Sequence, residues 1–108
     1  MPLDAHIIDS VTGQIDPELS AYIDESQHAA LFAQLEQQSS RFPLLMRMSH
    51  YYSDAEYTTD ELESLIAEVE QTASLFESGS SVYRFTEPFH SMCVTAFIRK
   101  KMVALFAD

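Results

Sequence analysis

From Tyr57 to Gly79 the chain encodes one element more firmly than any other. Thr58 and Glu61 stand three apart. At that spacing a Thr hydroxyl caps the free N–H groups of a helix and the Glu carboxylate reaches back to the cap's own N–H. Tyr57, just ahead of the cap, is placed to pack on Leu62 as a hydrophobic staple. Leu62, Leu65, Ile66, Val69, Ala73 and Phe76 then recur at three and four, a narrow apolar stripe on an otherwise acidic helix. Ser78-Gly79-Ser80-Ser81 supplies the stop.

The remaining segments are read around that helix. Residues 4–15, with Ile7, Ile8, Val11 and Ile15, read as extended structure, and Thr12-Gly13 as a turn. Asp16-Pro17-Glu18 has the form of a helix opening, which predicts a short helix over 17–23. Asp24 with Gln27 resembles a capping box, and Leu31, Phe32 and Leu35 extend a helix over 25–38. Ser39-Ser40 ends it, and Pro43 blocks its continuation through Phe42. Residues 44–52 fit a helix turn or a buried strand, with helix preferred. Val82–Phe85 alternates like a short strand, after which Thr86 and Pro88 open a helix whose face is Phe89, Met92, Cys93, Ala96 and Phe97. Arg99, Lys100 and Lys101 crowd its last turn, where the helix dipole favours cations. Val103–Ala107 reads as a buried strand whose natural mate is the stretch around Ile7 and Ile8. The expected fold is therefore α+β, a helix-dominated single domain over 1–108 with a small sheet joining the N- and C-terminal strands. An all-α bundle is the alternative if 103–107 continues the last helix.

Length and composition agree with one core. The chain has 108 residues, 46% of them hydrophobic, with two Gly and four Pro. Seventeen acidic residues against six Lys plus Arg give a formal charge of -11. Such a field repels phosphates, so nucleic acid and anionic membrane surfaces are not expected partners. One cysteine, Cys93, allows no intrachain disulfide. With no long apolar run and no basic leader after Met1, the expected location is cytoplasmic.

The charge is unevenly placed. No Lys or Arg precedes Arg41, and none lies between Arg47 and Arg84, where Asp54, Glu56, Asp60, Glu61, Glu63, Glu68, Glu70 and Glu77 fall. A solvated face that keeps the protein soluble is one reading. A docking face for a basic protein partner is the other, and such faces raise association rates. Ahead of the capped helix, His50-Tyr51-Tyr52-Ser53-Asp54-Ala55-Glu56-Tyr57 mixes tyrosines with carboxylates. Tyrosine is enriched at binding hot spots, and a neighbouring carboxylate can receive an incoming Arg. The candidate partner-binding residues are thus Tyr51, Tyr52, Asp54, Glu56, Asp60, Glu61 and Glu63, with at least one of Tyr51 and Tyr52 expected to be buried.

The segment Arg47 to Tyr57, followed by Thr58 and Glu61, resembles part of certain small bacterial proteins. Together with the short acidic chain and its final Ala-Asp, it is similar in character to toxin-neutralising immunity proteins. That resemblance implies a partner that is a bacterial toxin, blocked by occlusion, and it supplies no catalytic residues.

Catalytic chemistry finds little support. His6, His28, His50 and His90 show no zinc spacing, and Asp54, Glu56 and Asp60 lack the pattern of a calcium loop, so no metal or other cofactor is expected. His90 and Cys93 lie three apart on one helix, but Cys93 belongs to an apolar stripe and reads as a core thiol. His50 with Asp54 and Glu56 offers an acid–base set for a small enzyme or ligand-binding domain, without an identifiable nucleophile or phosphate loop. A homodimeric adaptor is the third reading.

Overall fold

The computed structural model describes residues 3–107. Its elements run β1 (Leu3–Ile8), β2 (Ile15–Ile23), α1 (Glu25–Leu35), β3 (Ala55–Tyr57), α2 (Thr59–Thr72), α3 (Tyr83–Ile98) and β4 (Met102–Phe106). The strands form one antiparallel sheet in the order β2-β1-β4-β3. The expected pairing of the chain's two ends is present: Ile7 lies opposite Val103 and Ala5 opposite Leu105. The fold is α+β, and the all-α alternative is excluded by β4.

Period-two patterning explains which side of the sheet the helices cover. Leu3, Ala5 and Ile7 are buried while Asp4, His6 and Ile8 are not. Ile23, Leu105, Val103 and Tyr57 continue the inner face and join Leu62, Leu65, Phe85, Phe89, Met92 and Cys93 in the core. Both predicted capping boxes form, at Asp24 with Gln27 and at Thr58 with Glu61. Gly13 takes φ 73 in the β1–β2 turn, where the Asp9 carboxylate accepts the N–H groups of Val11 and Thr12.

Several local expectations are corrected. Residues 17–23 are strand, not helix. The β1–β2 register places Ser20 opposite His6 and Asp16 opposite Ile7, so Pro17, Glu18 and Leu19 bulge out where no ladder N–H is required of proline. The Asp16 carboxylate accepts the Glu18 N–H at 3.0 Å, closing a local turn rather than capping a helix.

The helix after Asp24 ends at Leu35 and tightens into a 3₁₀ segment over Glu36–Arg41, interrupted by non-helical Gln38. Within 44–52 only Leu45–Met48 is helical, again 3₁₀. Val82–Phe85 is not a strand: α3 begins at Tyr83 and carries Pro88 inside it. There Phe85 and Phe89, one helical turn apart, stack with ring centroids 4.8 Å apart, a contact the strand reading would not allow. The basic cluster sits at and past the end of α3 rather than in its last turn. Lys100 adopts φ 57, and the Lys101 N–H donates to Ala96 O at 2.8 Å, a left-handed stop that turns the chain into β4.

Candidate interaction surface

The residues singled out in the sequence do not form one patch. Tyr51, Tyr52 and Asp54 lie at the end of the sheet where β2 runs into α1 and β4 finishes. There Asp54 Oδ1 accepts the Ala107 N–H at 2.7 Å, and the Tyr52 hydroxyl donates to Glu25 Oε2 at 2.8 Å. Asp60, Glu61 and Glu63 lie at the opposite end, because the neighbouring Thr59 hydroxyl donates to Lys101 O, just ahead of β4, at 2.7 Å. A strand the length of β4 spans about 17 Å. Glu56 falls between them, paired across the sheet with Ala104.

The tyrosines are held from within. His28, buried on α1, lies 4.5 Å from Phe32 and 5.2 Å from Tyr51 between ring centroids, and Tyr51 lies 5.1 Å from Tyr52. His28 Nε2 is 2.8 Å from Met48 O, and since a carbonyl only accepts, that nitrogen carries the proton. This aromatic ladder runs from core to surface: Tyr51 is half-buried and Tyr52 is 74% exposed. The hydrogen bond to Glu25 raises the Tyr52 phenol's pKa above its ordinary value.

The carboxylates divide into structural and outward groups, and several of the structural ones are paired by cations distant in the sequence. Arg47 grips both oxygens of Glu61, one of them at 2.8 Å, while Glu61 also caps Thr58. Arg47, and after it the Thr58 N–H, hold the Glu61 carboxyl down at about 2. Arg99 bridges Asp16 and Glu18 at 3.0 Å each, and Lys101 approaches Asp16 at 3.5 Å. Buried Glu68 accepts the N–H groups of Leu44 and Leu45, and Glu70 pairs with His90 at 2.9 Å. Among the described residues, the side-chain carboxylates of Asp4, Glu56, Asp60 and Glu63 have no hydrogen-bond or ion-pair partner.

The sheet contributes a surface that residue-by-residue reading missed. Across its outer face run three rows: Tyr22, Asp4 and Phe106; Ser20, His6, Ala104 and Glu56; Ile15, Ile8 and Met102. These residues are exposed or partly exposed, apart from Ala104, which is buried among them at 3%. Tyr22 is 60% exposed, Ile15 50% and Phe106 37%, and the His6 and Phe106 rings stand 6.1 Å apart. The signal available was the alternation of β1, whose even positions must face away from the core once its odd positions face in. Tyr22 was hidden because residues 17–23 read as helix.

Two adjoining open hollows lie at the α2–α3 seam, and neither is lined by His50, Asp54 or Glu56. Asp54 is already engaged by backbone and Glu56 faces out from the sheet. Cys93 is buried and its thiol is pushed up to about 12 by that burial, as expected of a core cysteine. Among the described residues no helix is long and apolar enough to cross a membrane. Comparisons with protein-family models, with curated proteins and with solved structures found no match to the chain.

Proposed function

We propose that this chain is an acidic binding protein that neutralises a basic protein partner, acting as an immunity protein that occludes the active surface of a bacterial toxin. The observation that carries this reading is the outer sheet face: exposed Tyr22, Phe106 and Ile15 set beside the unpaired carboxylates of Asp4 and Glu56 on a chain of charge -11. Apolar rings framed by free carboxylates suit a partner that presents Lys or Arg around an apolar centre. The aromatic rings supply rigid contact area at small entropic cost, and the carboxylates receive guanidinium or ammonium groups. Tyr52, tied to Glu25 at the sheet's end, is a further exposed aromatic that is already ordered. Asp60 and Glu63, farther off, add to the long-range field that speeds encounter. Where the toxin is a nuclease, the acidic face takes the place of phosphates in its basic groove.

The test begins with the protein retained on this chain from cells of its native host, identified and purified. Its affinity is then measured for the wild type, for Tyr22→Ala with Phe106→Ala, and for Asp4→Lys with Glu56→Lys. Both double variants should weaken binding at least about tenfold, the second with a flatter salt dependence. Unchanged affinity in both would reject the sheet face, and a partner whose activity is untouched by binding would reject neutralisation.

A further inference from the structure

The sheet has two outer strands, and they are not equally closed. β3 is three residues long, and its Glu56 O already accepts from the Arg47 guanidinium at 3.2 Å. β2 is nine residues long and ends the sheet on the other side, with no described strand beyond it. In an antiparallel pair every second residue turns both its N–H and its C=O away from the partner strand. A bare edge of this kind recruits another extended chain unless something blunts it.

Only the first half of β2 is blunted. Pro17 and the bulge distort it, and Arg99 bridges Asp16 and Glu18 there at 3.0 Å each. Over residues 20–23 the register against β1 runs without a shift. That stretch carries no Lys, Arg or Pro, the residues that commonly guard an edge.

Charge selects the occupant. No Lys or Arg precedes Arg41 in the chain, while Asp4 stands opposite Tyr22, and Asp24 and Glu25 follow Ile23. A second copy would bring an equally acidic strand on a chain of charge -11, and like charges set across a strand pair repel. A segment rich in Lys or Arg meets the opposite field.

We infer that the free edge of β2, over residues 20–23, takes up an extended basic segment of the partner protein as a fifth strand of the sheet. Main-chain hydrogen bonds to β2 supply affinity, and the segment's outward side chains come up beside Tyr22 on the same face as Asp4. This inference rests on the proposed basic partner and adds how that partner engages.

The experiment titrates the intact chain with a six-residue, end-blocked peptide alternating lysine and valine, and follows backbone shifts and amide exchange. Two controls accompany it: the same peptide N-methylated at every amide, and one with glutamate in place of lysine. The lysine peptide should bind saturably and slow exchange at alternate amides of residues 20–23. Both controls should bind at least about tenfold more weakly, and Ser20→Lys should weaken the lysine peptide by a similar factor. An N-methylated peptide that binds equally well would overturn strand addition and leave the sheet face as the binding surface. Equal binding of the glutamate peptide would reject the basic partner itself. Absence of saturable binding would overturn the edge, and so would dimers of the chain alone whose alternate amides in 20–23 are already protected, which would assign it to a second copy.

Discussion

Arg47 holds Glu61 with both guanidinium amines, and the same Arg47 donates to Glu56 O at 3.2 Å. One cation thereby fastens the 3₁₀ turn of residues 45–48 to β3 and to the first turn of α2. Glu61 is consequently a structural carboxylate, although in the sequence it looks as available to a partner as Glu63.

Loss of that pair should show as stability, not as binding. The folded-state carboxyl of Glu61 titrates at about 2, below its ordinary value of 4.5. Its contribution is therefore complete above pH 4.5 and is lost as pH falls toward 2. Both side chains are partly solvated, so Glu61→Gln should cost about 1 kcal/mol at pH 7. Urea unfolding at pH 7 and pH 3 tests this: the gap between wild type and variant should narrow at the lower pH. An equal gap at both would exclude the pair as its source.

Glu68 offers a sharper case, because its carboxylate is buried and caps the N–H groups of Leu44 and Leu45. Glu68→Ala leaves those donors unsatisfied and should cost about 2–3 kcal/mol. Glu68→Gln retains one acceptor oxygen and should cost about half as much. Denaturant midpoints that rank the two variants the other way would refute the capping role.

At the end of α3, Lys100 occupies a left-handed conformation at φ 57. A side chain is strained there and glycine is not, so Lys100→Gly should stabilise the fold by about 0.5–1 kcal/mol. Calorimetry should register a melting temperature higher by several degrees, and a lower one would contradict the αL stop.

Cys93 should resist alkylation. With its thiol raised to about 12 and its side chain buried, iodoacetamide at pH 8 should leave the native protein unmodified and label it in urea. Rapid labelling of the native state would show that the α3 stripe is open to solvent.

What the sequence disclosed, and what it concealed, follows from how local each signal is. Thr58 with Glu61 and Asp24 with Gln27 fix helix starts within four residues, and both were legible. The pairing of β1 with β4 was legible because Ile7 and Val103 sit in the two most apolar terminal stretches. Asp16-Pro17-Glu18 misled because a strand bulge and a helix start use the same residues, and only the β1 register separates them. Val82–Phe85 misled because four residues cannot distinguish a period of two from the first turn of a helix. At the candidate site, which of Tyr51 and Tyr52 is exposed was not legible. Nor was the division of acids into tied Glu61 and free Glu63, since it depends on where Arg47, fourteen residues away, comes to rest.

The central claim is that the open sheet face binds a basic protein. Its most direct measurement is amide hydrogen exchange on this chain, free and bound to the partner recovered from its host. Slowed exchange in β1, β2 and β4 around Asp4, Tyr22 and Phe106, with little change in α2 or α3, is the predicted result. Protection confined to the helices, with the strands exchanging as in the free chain, would contradict it.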